Sequence, residues 1–430
     1  MFTDMEGRAV VWIHGGIKKK SPVDFQYKDE KFLHVISGKV LEAYYGRESL
    51  DLITFVPHSL YVDHMHEERE AMKKDIEEFY EFPLPSIGTI SQNNTKYSFN
   101  GNYQYVKFWI FLKLLEIYLE RKYGVFYCDI SQGLNVYTHA FKEAFESLLL
   151  FDRLRNMGRD GIKVYMLYSD PIIHGVENPR LYDDVELKVK AWFDSPIGRP
   201  IEAFARKHLL ETEIERVLKN YYRTYRAIRY NAPGVVLTFG YDGKERIEEV
   251  TKKFLKTYTE KYDPGEFQEG KTEYNYPLPE EPEEKINIFL ALALYYNMAV
   301  VFEEKEISQK REFTLEDLKR FFEVYQHYGL SVNKELLGRD IERLKDIESH
   351  KKLLVSSEWW LLGELINQSF SPRKAQELAN DQSARRNFFA HSGMENNSVC
   401  VRKDEEGKLV FKYREEFYSI IDRFVYEEGA

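Results

Sequence analysis

The chain has 430 residues, 43% hydrophobic and 31% charged, a balance that excludes a disordered polymer and, at roughly 150 residues per domain, gives about three compact units. With 61 Lys+Arg against 71 Asp+Glu the formal net charge is −10, which excludes a surface that coats nucleic acid throughout but leaves room for a local basic groove. Its two cysteines, Cys128 and Cys400, exclude a disulfide scaffold and a Cys-rich zinc site.

The opening residues, MFTDMEGRAVVWIHGG, carry no basic stretch ahead of an apolar core. No signal peptide is expected, and the protein is read as cytoplasmic. Ala9–Ile13 reads as a strand ending in the tight loop His14-Gly15-Gly16. Phe32–Tyr45 reads as a helix, Leu50–Val56 as a strand, and Lys107–Tyr123 as a helix. Val125–Ile130 is a third strand, running through Ser131–Asn135 into a helix that ends near Asn156. Lys163–Tyr168 is a fourth, stopped by Ser169-Asp170-Pro171. Apolar strands alternating with amphipathic helices predict a mostly parallel, Rossmann-like α/β sheet with both faces covered.

Beyond Pro200 the pattern changes. Ile201–Tyr230 reads as helical, with Arg216, Lys219, Arg223, Arg226 and Arg229 interleaved with tyrosines, and Val235–Phe239 as a short strand. The Arg/Tyr stripe is read as an exposed basic helix face, with RNA contact as the alternative. Pro- and acid-rich residues 263–284 mark a boundary. The apolar run Ile286–Phe302 holds two asparagines between acidic flanks and is read as a buried core helix, not a membrane span. Helical signals continue to His391, followed by a hairpin (VCVRK and KLVFKY) and a helix from Glu415. The expected domains are residues 1–200, a helical or linker segment 201–284, and a helical domain 285–430 with a small β-hairpin.

Open parallel sheets bind ligands where strand ends meet helix N-termini. The loops at His14-Gly15, at Ser131-Gln132-Gly133-Leu134-Asn135 and at Ser169-Asp170 have the small and polar residues such a site uses; the alternative is three ordinary βα turns. Neither G-x-G-x-x-G nor a Walker A lysine occurs, so NAD and ATP have no support. Near the C-terminus, Ser371-Pro372 reads as the start of a helix that passes through Arg385, Arg386, Asn387 and His391 and stops near Gly393. Arg386 and His391 are about 140° and ~7.5 Å apart on an ideal helix, so they do not share a face. Asn387 and His391 are i,i+4 neighbours, which lets the amide orient the imidazole. A guanidinium and an imidazole suit metal-free RNA cleavage. The alternative is a solvated arginine and a partly buried histidine.

The string RNFFAHSG (Arg386–Gly393) resembles the R-x4-6-H motif of HEPN ribonucleases, and CDISQGLN (Cys128–Asn135) resembles the ligand loop of CARF domains. Their order and spacing are similar to the CRISPR-associated CARF–HEPN ribonucleases of type III systems. The resemblance implies an N-terminal CARF domain, a mainly helical middle and an all-α HEPN-like C-terminal domain. It implies a homodimer activated by a cyclic oligoadenylate, with cyclic tetra-adenylate fitting a two-fold axis, and no other cofactor and no metal. It also implies a single-stranded RNA substrate cut to a 2′,3′-cyclic phosphate and a 5′-hydroxyl. Arg386 would stabilise the phosphate, His391 transfer the proton and Asn387 orient it. Arg385 either shifts the motif to R-x5-H or binds RNA backbone. The ligand loop carries Gln132 where relatives often have histidine, and Trp12 is read as core, with stacking on an adenine as the alternative. His58, His64 and His66 with Asp63 and Glu67 are read as a solvated run rather than a metal site. The rival reading is a non-enzymatic nucleotide sensor with a helical interaction or DNA-binding module.

Overall fold

The computed structural model describes residues 7–14, 22–34, 36–62, 79–121, 123–131, 135–170, 178–198, 205–206, 211–268, 270–350, 353, 358–367, 369–379 and 381–426. They form two compact units: Met1–Trp192 with Thr251–Leu290, and Phe193–Val250 with Ala291–Ala430. The 201–284 segment, expected to stand apart, is therefore shared between the two. Its helix Thr212–Arg229 buries an apolar face (Ile214, Val217, Leu218, Tyr221) within the second unit.

The first unit is built on an eight-stranded sheet of β1 (Gly7–Ile13), β2 (Val23–Tyr27), β3 (Glu30–His34), β4 (Leu50–Pro57), β5 (Phe79–Leu84), β8 (Tyr123–Asp129), β9 (Lys163–Ser169) and β10 (Arg180–Glu186), in the order β3-β2-β10-β9-β8-β1-β4-β5. A smaller sheet joins β6 (Ile87–Gln92), β7 (Thr95–Asn100) and β11 (Glu273–Tyr274). In the large sheet five neighbouring pairs are parallel, and only β2–β3 and β9–β10 run antiparallel. Ala9 to Ile13 are all buried, as a central strand covered on both faces requires. One face packs Val10, Trp12, Leu52 and Tyr127 against Val40 and Leu41 of the helix Ser37–Tyr45. Trp12 is core, 1% exposed.

Two elements differ from the sequence reading here. Phe32–His34, the first residues of the predicted Phe32–Tyr45 helix, instead end the strand β3, which hairpins onto β2 through Lys28-Asp29, with Lys28 at φ 53°. The helix itself starts only at Ser37. Lys31–His34 alternate between exposed and half-buried, the period of a strand and not of a helix. The β6–β7 hairpin, turning through Asn93-Asn94 in left-handed conformations, carries an Asn-Asn turn signal to which the sequence reading gave no element.

In the second unit, Val235–Phe239 is not a strand but part of a helix, Pro233–Phe239, with proline at its first position and Gly240 (φ 72°) after its end. The long apolar helix Pro282–Glu304 contributes residues to both units. It is long and apolar enough to cross a membrane, and most of its apolar stretch is buried in protein, as a core helix is. A four-stranded sheet of β12 (Phe313–Thr314), β13 (Trp360–Leu361), β14 (Val399–Lys403) and β15 (Leu409–Tyr413), ordered β12-β15-β14-β13, contains the predicted hairpin. The Arg/Tyr stripe is only partly exposed: Arg226 is 5% exposed and lies over the rings of Tyr222 and Tyr230, and Arg223 pairs with Asp422. Arg216 and Arg229 remain on the surface.

Candidate functional sites

Strands β4 and β5 extend the large sheet to one side of β1, while β8 and β9 extend it to the other. The β1/β8 boundary is thus the point where strand order reverses, the usual ligand crevice of an open α/β sheet. Trp12 pairs with Asp129, so the chain leaves both strands at the same edge. β9 is parallel to β8, which puts the Ser169-Asp170 turn at that edge too.

Asp129 organises this edge. It is 2% exposed, and its Oδ1 accepts from the Ser131 backbone N–H (2.9 Å) and hydroxyl (2.6 Å). Its Oδ2 accepts from the Ser37 hydroxyl at the start of the Ser37–Tyr45 helix, and the two serine hydroxyls lie 2.9 Å apart. The carboxylate therefore draws a helix N-terminus and the loop after β8 together. Sequence reasoning passed over both Asp129 and Ser37. An acidic residue ending an apolar strand was the available signal for the first; nothing flagged the second.

The other expected ligand residues fare differently. His14 is 4% exposed and prolongs the β1–β4 ladder by donating its N–H to the Phe55 carbonyl (2.8 Å), so it belongs to the buried strand end rather than to an open loop. Gly15, Gln132, Gly133 and Leu134 lie outside the described residues, as does the side chain of Asn135, which opens the helix Asn135–Arg155. Ser169 pairs with Leu181 in the sheet. The Asp170 carboxylate accepts from the Arg180 N–H (3.0 Å) and the Tyr182 hydroxyl (3.2 Å), tying β9 to β10. Of the histidine cluster only His58 is described. It is fully buried, with Nδ1 3.0 Å from the Tyr276 hydroxyl, and burial pushes its pKa down to about 4. Among the described residues no group of three or more His, Cys, Asp or Glu could hold a metal ion.

In the second unit the Arg–His motif occupies a short helix, Gln382–Ala390. It does not begin at Ser371-Pro372. Residues 371–374 are irregular, a separate turn spans Ala375–Leu378, and Asp381 caps the motif helix through the N–H groups of Ser383 (2.8 Å) and Ala384 (3.2 Å). Ala384 and Phe388, four apart, form the buried face, while Arg386 and Asn387 are exposed. Among the described residues neither exposed side chain has a hydrogen bond or ion pair. Arg385 is half-buried and its Nε donates to the Phe424 carbonyl (2.9 Å).

His391 lies one residue past the helix and opens a turn. Ser392 (φ 53°) and Gly393 (φ 76°) are both left-handed, and the Gly393 N–H reaches back to the Phe388 carbonyl (2.8 Å), closing a Schellman-type stop. Ser392 is fully buried in this strained conformation, and its hydroxyl holds it there. The Oγ donates to Asp340 Oδ2 (2.7 Å) and accepts from Asn231 Nδ2 (2.9 Å). Gly393 must be glycine: a Cβ would stand 2.7 Å from the Tyr413 hydroxyl oxygen.

The imidazole faces the helix Ser331–Asp346. Arg343 Nη1 lies 3.2 Å and Asp340 Oδ1 3.4 Å from His391 Nδ1, and Arg343 Nη2 lies 3.6 Å from Asp340 Oδ1. Asn387, expected to orient the ring, contributes only its backbone carbonyl, which accepts the His391 N–H (3.0 Å). A side chain that leaves the helix at its last turn is no longer an i,i+4 neighbour, which is why the helical spacing argument picked the wrong partner. The Asp340–Arg343 pair is i,i+3 on a charged helix with no distinguishing pattern, so no signal in the sequence marked it.

Residues 9–171 match the CARF domain of the CRISPR system endoribonuclease Csx1, and residues 330–415 match the HEPN domain of the same enzyme. No curated protein matches the chain. The first match holds the β1/β8 edge and the second holds the Arg386–His391 motif with Asp340 and Arg343. With its parallel α/β sheet, helical middle and helical C-terminal region, the chain belongs to the CARF–HEPN CRISPR ribonucleases, RNA-acting enzymes whose CARF domain senses a cyclic oligoadenylate-type ligand.

Proposed function

We propose that this protein is a metal-independent endoribonuclease of type III CRISPR defence, cytoplasmic and homodimeric, which cyclic tetra-adenylate switches on to cut single-stranded RNA. The observation that carries this reading is the setting of the motif. The Arg386 guanidinium is exposed and unengaged among the described residues, and the His391 ring is held at Nδ1 with its side chain 44% exposed. Arg386 stands on the helix and His391 in the turn just past its end, so a second copy of this segment facing the first would give two Arg–His pairs across one cleft.

In such a cleft the imidazole takes the proton of the RNA 2′-hydroxyl as its oxygen attacks the adjacent phosphorus. The P–O5′ bond breaks, and the imidazolium so formed gives the proton to the 5′-oxygen, leaving a 2′,3′-cyclic phosphate and a 5′-hydroxyl. Arg386 offsets the charge that builds on the non-bridging oxygens. No water, metal or oxidant enters the balance. At the other end, the Asp129-anchored edge with Ser131 and the loop through Asn135 would receive the activator, with helix N-termini directed at its phosphates.

The test is cleavage of labelled single-stranded RNA in EDTA, with and without cyclic tetra-adenylate, beside the His391→Ala protein. Stimulated cleavage that the substitution abolishes is expected. Cleavage that requires a divalent ion would overturn the metal-free chemistry, and tight activator binding with no cleavage at any ring size would turn the reading to a non-enzymatic sensor.

A further inference from the structure

The imidazole of His391 is approached from one side by two groups of opposite charge on one neighbouring helix, and both address the same nitrogen. Arg343 Nη1 stands 3.2 Å from Nδ1 and Asp340 Oδ1 stands 3.4 Å from it. The two partners are complementary in hydrogen-bond role. When Nδ1 is bare it accepts from the guanidinium, and the ring hydrogen is on Nε2. When Nδ1 carries hydrogen it donates to the carboxylate, and Nε2 is a free base, or a second N–H in the imidazolium. One arrangement therefore serves every protonation state that a base-then-acid cycle visits, without the ring turning.

The carboxylate is itself fixed. Asp340 is 6% exposed, and its second oxygen accepts from the Ser392 hydroxyl at 2.7 Å, with Asn231 bonded behind that serine. The charged groups facing the ring are thus Asp340 and Arg343, both from the Ser331–Asp346 helix, and the turn that carries the ring is locked to the same carboxylate.

Resting on the ribonuclease reading above, the geometry points to Asp340 and Arg343 as positioning residues that clamp Nδ1 of His391, so that Nε2 is the nitrogen that exchanges protons with RNA. Neither needs to touch substrate. Outer partners that fix the tautomer and ring orientation of metal-bound histidines are worth about 10–100-fold, and a loss of that order is expected for a proton-transferring ring held in the same way.

The experiment uses the full-length protein with saturating cyclic tetra-adenylate and measures kcat and KM separately, with melting temperature and activator affinity as controls of the fold. Asp340→Asn keeps an oxygen and a nitrogen in place of the two carboxylate oxygens. It is expected to lower kcat roughly 10–100-fold with KM within about twofold and activator affinity unchanged. Arg343→Gln, at a side chain whose bonds are to Asp340 and His391 alone among the described residues, is expected to lower kcat in the same way. Ser392→Ala, which removes the fold-side bond to Asp340 but leaves both groups that face Nδ1, is expected to lower the melting temperature and to lower kcat by less than Asp340→Asn does.

Wild-type kcat in both Asp340→Asn and Arg343→Gln would overturn the clamp. So would a loss in Asp340→Asn that appears in KM, or one that Ser392→Ala reproduces in proportion to its fall in melting temperature. If Asp340→Asn does not fold, Arg343→Gln decides by the same kcat criterion. His391→Ala separates the two levels. An active His391→Ala protein removes the ribonuclease site itself, whereas an inactive one beside a fully active Asp340→Asn and Arg343→Gln removes only the clamp.

Discussion

The hydroxyls of Ser37 and Ser131, 94 residues apart in sequence, meet 2.9 Å from one another over the buried carboxylate of Asp129. The start of the Ser37–Tyr45 helix and Ser131, just past β8, are thereby tied together at the reversal of the sheet, and pre-formed polar groups lose less to ordering when a ligand binds.

Ser37→Ala should therefore loosen the loop without touching the second unit. Losing one buried hydrogen bond costs about 1 kcal/mol, or roughly fivefold in affinity for cyclic tetra-adenylate. Calorimetric titration measures it, with RNA cleavage at saturating activator staying at the wild-type rate. Wild-type affinity would remove Ser37 from the ligand edge.

The two adjacent arginines of the motif should separate by phenotype. Arg386→Ala and His391→Ala are expected to lower activated RNA cleavage by about 10²–10⁴-fold while leaving melting temperature and activator affinity unchanged. Arg385→Ala removes the Nε bond to the Phe424 carbonyl and is expected to cost about 1.5–3 kcal/mol of stability. An Arg385→Ala protein that folds normally and is as inactive as Arg386→Ala would move the motif to R-x5-H.

His58 sets a pH dependence of stability for the first unit. Burial holds its folded pKa at about 4, below the ordinary 6.5. The unfolded chain therefore binds the proton more readily, and the neutral ring's contribution is complete above pH 6.5 and is lost as pH falls from 6.5 through 4, at up to about 1.4 kcal/mol per pH unit. Thermal melts from pH 7 to pH 4 should show this slope, and His58→Gln should flatten it. An unchanged slope in His58→Gln would assign the effect to other groups.

Gly393→Ala should be among the most damaging single-methyl additions in the second unit. The residue has φ 76°, and the new methyl meets the Tyr413 hydroxyl. A cost of about 1–3 kcal/mol is expected from the backbone conformation alone. Tyr413→Phe removes that hydroxyl, so adding it to Gly393→Ala should recover part of the melting temperature. Equal melting temperatures for the single and double variants would show that the backbone, not the contact, dominates.

Much of the framework was legible because it rests on periodicity. The runs AVVWI, VFYCDI and KVYMLY, short, largely apolar and bounded by turn residues, read as strands of a covered sheet, and the order of loops around them followed. The string around His391 was legible because arginine, asparagine and histidine carry their chemistry in the side chain. What escaped was set by contacts distant in sequence. Glu30–His34 becomes a strand because β2 pairs with it, and Val235–Phe239 becomes a helix because Pro233 and Gly240 fix its two ends. Asp129, Asp340 and Arg343 are ordinary charged residues until the fold brings Ser37 and His391 beside them. Asn387 was misplaced as the orienting group because the turn at Ser392 takes His391 off the helix.

That turn has a mechanical consequence. Arg386 rides on the body of a nine-residue helix, a length at which helices are marginal by themselves, whereas His391 is moored by its ring and by the next residue to a different, sixteen-residue helix. The pair is compliant on one side and stiff on the other. Rotation or fraying of the short helix is therefore expected to change the Arg–His separation more by moving Arg386 than by moving the imidazole.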